Sequence, residues 1–304
     1  MRNAFAKEIT NSAKSNKNIV LLVGDIGNRL FDSFKEENPS RFYNCGIAEA
    51  LMTGVASGLA NTGFLPVTYT ITPFNTLRCL EQIKLDVCYP NLPIIIVGTG
   101  SGLSYASLGA THHSLDDIAV MRMLPNMQIL VPGDSVEVIG CLNAAIKSKK
   151  PTYIRLGKKG EPIIHQKQFV YEIGKVIPVH KGQKNLVISV GNMLSECVLA
   201  TQKFETKYKI HPEIVSLGSV NPLDESYLKV AFKKFDQITV VEEHGFVGGA
   251  GSAILEWAYL NNIDIRKLKL INTGKQFVTG AGNQANARKQ LNLDSNSIFK
   301  QLKN

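Results

Sequence analysis

The stretch MQILVPGDSVEVIGCLNAAIKSKKPTYIRLG, residues 127–157, decides the fold. The apolar runs at 127–132 and 151–156 read as buried strands, being short and rich in β-branched side chains. Between them, 134–148 reads as a helix capped by Asp134. Strand, helix and strand in this order imply a parallel sheet covered by helices.

The same alternation extends upstream. NIVLLVGD (18–25), RFYNCG (41–46), FLPVTYTI (64–71) and LPIIIVG (92–98) read as strands, with helices expected from Ile47 and over 74–89. Downstream, GKKGEPIIHQKQFVYEIGK (157–175) is polar, turn-rich and aperiodic, the composition of a linker. A second series follows it. Strands at 185–191, 211–218, 237–243 and 267–273 alternate with helices at 194–207, 223–235 and 247–260, and the tail is helical. The expectation is an α/β protein of two consecutive α/β domains with mostly parallel sheets, spanning 1–165 and 166–304.

Composition agrees. The 304 residues are 44% hydrophobic and 19% charged, enough to bury two cores. No apolar run approaches the roughly 18 residues of a membrane span, and the polar first 18 residues do not read as a signal peptide. Five scattered cysteines without a CxxC pair suit reduced thiols, so a cytoplasmic protein is expected. The formal charge of +9 is spread thinly, in short groups such as KSKK (147–150) without interleaved aromatics. It reads as a solvated basic surface suited to phosphorylated small molecules, with no nucleic-acid motif.

Four places carry chemistry-bearing residues. Glu49 is the only charged residue of NCGIAEALMTGVASGLA (44–60) and shares a stripe with Thr53, Ala56 and Ala60. An acid there suits the helix dipole; partly desolvated, it also suits proton donation. In LGATHHSLDD (108–117), Ser114 reads as a helix cap and Asp117 as its capping-box partner. That leaves the histidines of THH unexplained, in a loop after a buried strand where open α/β sheets bind ligands. No third ligand at metal spacing accompanies them. The glycines of EEHGFVGGAG (242–251) miss the dinucleotide spacing and suggest tight strand–helix packing. Arg155, ending a strand, could pair internally or meet a phosphate.

In order, GIAEALMTGVASGLA, PFNTLRCLEQIKLDVCY, NLPIIIVGTGSGL, GATHHSLDDIAVMRMLPNMQILVPGD, PTYIRLG and VVEEHGFVGGAG resemble the second half of the transketolase family. That half comprises a thiamine-diphosphate pyrimidine-binding fold followed by a transketolase C-terminal-like domain. The likeness is greatest to split transketolases, whose C-terminal section is a separate chain. The resemblance implies a thiamine diphosphate cofactor with Glu49 at N1′ of its aminopyrimidine, Phe74 stacked on that ring and Asp25 facing cofactor and donor. It further implies His112 beside the reacting sugar oxygens, Arg155 on the substrate phosphate and Arg29 near the donor. The implied reaction moves a two-carbon ketol unit between sugar phosphates.

The family's G-D-G…N element, which holds Mg2+ and diphosphate, is not found in the sequence. A transketolase N-terminal-section chain with the diphosphate-binding domain is therefore expected as partner, around a homodimer core in an α2β2 assembly, without nucleic acid or membrane. Leu108 stands where the family usually has aspartate, which points to an unusual sugar. Alternatives in the same architecture are the β chain of a 2-oxo-acid dehydrogenase and a deoxyxylulose-phosphate-synthase-like enzyme; a fold kept for binding without catalysis is a third.

Overall fold

The computed structural model describes residues 1–27, 29–158 and 160–303. Its strands are β1 (Ile19–Val23), β2 (Phe42–Asn44), β3 (Leu65–Ile71), β4 (Ile95–Thr99), β5 (Gln128–Val131), β6 (Thr152–Leu156), β7 (Ile177–His180), β8 (Asn185–Ser189), β9 (Glu213–Ser216), β10 (Gly218–Asn221), β11 (Gln237–Val241) and β12 (Leu268–Ile271). They form two sheets, ordered β10-β5-β6-β4-β3-β1-β2 and β12-β11-β8-β9-β7. All pairs are parallel except β10 with β5 and β7 with β9. Strands buried along their whole length, such as β1 (IVLLV), need helices on both faces. The principal helices are α1 (Arg2–Ser15), α2 (Asp32–Glu37), α3 (Glu49–Asn61), α4 (Leu80–Gln82), α5 (Asp117–Arg122), α6 (Ser135–Ser148), α7 (Leu194–Tyr208), α8 (Glu225–Lys234), α9 (Ala250–Leu260), α10 (Gln284–Gln290) and α11 (Ser295–Leu302).

Helix α6 starts as its sequence demands. Asp134 accepts the Val136 and Glu137 N–H groups at 2.9 Å each, satisfying donors that a helix start leaves free. The run at 211–218 behaves differently. It ends as β9 at Ser216, and the chain re-emerges as β10, which crosses to the first sheet and pairs antiparallel with β5. The sheets thereby share one apolar cluster, from Met52 and Ile83 through Met121 and Ile129 to Leu217, Val240 and Trp257. The other face of the first sheet has its own core of Phe5, Ile9, Phe34, Tyr69 and Leu142.

Two further sequence expectations need correction. The segment 74–89 is not one helix but a relay of 3-10 turns (Thr72–Phe74, Leu77–Cys79), α4 and a π-helical stretch, Ile83–Cys88. Pro73 lies in the first of these turns and cannot donate to a helical ladder. Ser114 does not cap α5. The N-cap is Asp116, without a side-chain bond, and the Asp117 carboxylate turns inward to Tyr153 and Arg155.

Candidate active site

Glu49 opens α3 and is 2% exposed. Its stripe mates Thr53, Ala56 and Ala60 are buried with it, and a Cβ on Gly24, just past β1, would come within 3.3 Å of Glu49 Cγ. The carboxylate faces Arg78, whose Nη1 donates to Oε2 at 2.8 Å. The same guanidinium lies 4.2 Å from the centroid of Phe74. A flat, nitrogen-bearing cation is thus held by an aromatic face and a buried acid, the two contacts an aminopyrimidine needs. Both side chains come from the broken path of 72–88, Phe74 from its first 3-10 turn and Arg78 from its second.

Phe74 continues the row. His112 meets it edge-on at 5.2 Å between centroids, and Tyr105 meets His112 at 6.0 Å. Lys158 then lies 4.3 Å from the Tyr105 ring centre. Burial first, then the charges of His113 and Arg78, hold the His112 imidazole below its usual value and favour its neutral form at pH 7. The Thr111 hydroxyl contacts His112 Nδ1 at 2.9 Å. His113, buried, has Nε2 3.4 Å from the Ala106 carbonyl and steadies the loop from inside.

The structure therefore brings Glu49, Phe74 and His112 into one row. Asp25 and Arg29 are exposed and line a cleft of about 250 Å³ at the ends of β1 and β2, with the Asp25 carboxylate accepting from Asn44 Nδ2 at 3.2 Å. Arg155 does not reach a substrate surface, which corrects the phosphate role expected of it. Its side chain is 1% exposed. Nε donates to Asp117 at 2.7 Å, and Nη2 donates to Asp117 and to the carbonyls of Ser114 and Glu243. A guanidinium so committed is a structural pivot.

Sequence reasoning missed Arg78, Tyr105 and Lys158. Lys158 carried one signal, a cation just beyond the carboxyl end of β6. Arg2 is a further cation nearby: burial raises the Tyr105 hydroxyl above its usual value and the charge of Arg2 only partly opposes that, and with Lys7, Lys14 and Arg29 it lines a cleft of about 530 Å³.

The glycine loop binds an anion of its own. Glu242 accepts the Ala250 and Gly251 N–H groups at 2.7 and 3.0 Å, filling the start of α9 where a dinucleotide phosphate would sit. One cluster elsewhere has metal-like spacing: ligand atoms of Asp134, Glu137 and His165 all lie within 4.8 Å of one another. Asp134 already accepts four backbone N–H groups there, from Val136, Glu137, Ile164 and His165, so the cluster closes on protons. Among the described residues, no helix is long and apolar enough to cross a membrane.

Comparison with known proteins gives matches along nearly the whole chain. Residues 1–161 match the family model described as transketolase, pyrimidine binding domain, and residues 174–298 match transketolase, C-terminal domain. One chain of the apulose-4-phosphate transketolase of Actinobacillus succinogenes is 34% identical over 98% of this chain and 96% of its own. The 1-deoxy-D-xylulose-5-phosphate synthase of Syntrophus aciditrophicus is 32% identical over 97% of this chain but 45% of its own. A solved structure described as "Split gene transketolase, inactive beta4 tetramer" superposes with a TM-score of 0.89 at 29% identity, covering 99% of this chain and 96% of that one.

Proposed function

Since the chain belongs to the transketolase family, we propose that it is the pyrimidine-binding subunit of a split, thiamine-diphosphate-dependent transketolase. It would move a two-carbon ketol unit from a ketose phosphate to an aldose acceptor. One observation carries the reading: a flat cation held between the buried Glu49 carboxylate and the Phe74 face, whose ring lies 5.2 Å from His112.

When bound, the coenzyme supplies a carbanion and an electron sink. Glu49 would hold the proton at the pyrimidine's N1′, and Phe74 would keep the ring flat against the pocket wall. Arg78 must yield its place on Glu49 as the ring enters. Neutral His112 would exchange a proton with the sugar hydroxyl beside the reacting carbon. Lys158, with Arg2 behind it, replaces Arg155 as the cation for the sugar phosphate, because its charge faces the same loop and is not spent on a buried acid. Asp25 and Arg29 keep a supporting place along the donor's approach.

The diphosphate and Mg2+ are assigned to a partner chain, since the sequence contains no G-D-G…N element. The inactive state of the split-gene relative, a tetramer of β chains, supports that need. Helix α3 offers a docking face of Leu51 and Val55, extended by Ile47 just before it and by Leu85 and Tyr89, all exposed. Gly54 and Gly58 keep that face low enough for a second backbone, and two copies of this chain in an α2β2 assembly would cover it.

The test is to mix the purified chain with a diphosphate-domain chain, thiamine diphosphate and Mg2+, and to supply xylulose 5-phosphate with an aldose phosphate, or pyruvate. Ketol transfer only in the mixture is expected. Pyruvate turnover without ketose turnover would move the assignment to the synthase or dehydrogenase branch.

A further inference from the structure

The loop that carries His112 leaves the first sheet after β4 and returns as α5, and its neck is closed at both ends. Gly102 and Ser114 bond to each other through paired backbone N–H and carbonyl groups at 3.1 and 3.0 Å. The grip on this neck comes from the second sheet, from the segment Glu243-His244-Gly245 after β11. Glu243, fully buried, accepts the Leu103 N–H at 2.5 Å. Its carbonyl accepts from Arg155, which also holds the Ser114 carbonyl. His244 Nδ1 lies 2.9 Å from the Gly245 carbonyl, and Nε2 accepts the Ala119 N–H at 3.4 Å. Gly245 donates to the Leu115 carbonyl at 2.7 Å, and a Cβ there would come within 2.9 Å of that oxygen. Three consecutive residues thus hold positions 103, 115 and 119, on both sides of His112.

Glu243 is itself locked. Gln284 donates to it at 2.9 Å and Arg288 Nε at 2.8 Å, both from α10. Among the described residues, this network's bonds fall on positions 103, 104, 115 and 119 of the loop and not on the residues of the row from Glu49 to Lys158. It is costly all the same, since it buries charges that an apolar junction would not need.

We infer that Glu243 is a positioning residue: the second domain acts on the reaction by clasping the neck of the His112 loop, with Glu243 as the clasp. The inference rests on the transketolase reading for its kinetic consequence but not for its structural one. Misplacing a reacting group by about 1 Å costs about 10²-fold in rate, while a ring held by Glu49 and Phe74 is untouched.

The test uses Glu243→Ala and Glu243→Gln in the complete assembly, with native mass and hydrogen exchange measured beside kinetics. Glu243→Ala should lower kcat by about 10- to 100-fold, leave coenzyme affinity within about threefold, and raise exchange at 103–115 above that of the rest of the chain. Glu243→Gln keeps an acceptor for the Leu103 N–H while losing the charge that pairs Arg288, so it should recover more of the protection and of kcat than Glu243→Ala retains. Equal kcat in all three forms, or a loss that follows coenzyme affinity, overturns the inference. So does unchanged exchange at 103–115 in Glu243→Ala. If the wild-type assembly shows no ketol transfer, the functional reading fails on its own, and the exchange measurement still decides whether Glu243 clasps the loop.

Discussion

Arg78 and Glu49 form an asymmetric pair: the acid is 2% exposed and the arginine 43%, with 2.8 Å between Nη1 and Oε2. The buried partner cannot leave, whereas the exposed one can. On the proposed function, Arg78 is therefore a replaceable occupant that neutralises Glu49 until the coenzyme ring takes its place.

Arg78→Leu should destabilise the isolated chain in urea by about 1 kcal/mol, a modest figure because water reaches the arginine. The deficit should vanish in the assembly loaded with coenzyme. A deficit of equal size there would mean that Arg78 never leaves.

Glu49→Gln keeps an acceptor for Arg78 and removes the titratable proton. The variant should fold and assemble normally, yet turn over about 10²- to 10⁴-fold more slowly. Undiminished turnover would remove Glu49 from the proton path.

Lys158 and Arg155 should part company. Lys158→Ala should raise KM for a phosphorylated donor by about tenfold, losing one charge-assisted contact of about 1.4 kcal/mol, with kcat little changed. Arg155→Ala strands Asp117 inside the protein and should cost about 3–5 kcal/mol, read as a collapse in Tm. A stable Arg155→Ala chain with a raised KM would return the phosphate role to Arg155.

His112, held low by burial, should leave the acid limb of kcat/KM below pH 6.5, the usual imidazole value. His112→Asn should flatten that limb. A limb above pH 6.5 that the substitution leaves in place would assign the titration to another group.

The Asp134–Glu137–His165 cluster should make stability fall toward alkaline pH. Burial pushes Glu137 up to about 7 from 4.5. The native chain therefore keeps a proton that the unfolded chain releases, and this stabilisation is full below pH 4.5 and lost as pH rises through about 7. His165 has the same sign: burial opposes its charge, but the Asp134 hydrogen bond and the charge of Glu137 outweigh that and raise it. Asp134 runs the other way. Burial is outweighed by the hydrogen bonds it accepts, which hold it to about 2, so its contribution is lost only in strong acid. Tm measured from pH 5 to 8 should decline in the wild type and decline less in Glu137→Gln. Parallel curves would place the titration elsewhere.

The sequence by itself determined the parallel α/β architecture, because strand and helix periods report local burial and Asp134 caps α6 through neighbours two and three residues away. It also singled out Glu49 and the pair His112 and His113, since an acid in an apolar helix and a histidine pair after a buried strand are local anomalies; the choice of His112 within the pair came from the family resemblance. Only the tertiary structure decided what each charge faces. Arg155 and Lys158 lie three residues apart, yet one is sealed against Asp117 from α5 and the other stands over Tyr105. Nor could local pattern foresee that 211–221 splits between two sheets, or that Glu243 reaches back to Leu103, 140 positions away. Those outcomes depend on which distant side chain supplies a buried charge with its partner, and that is settled by packing.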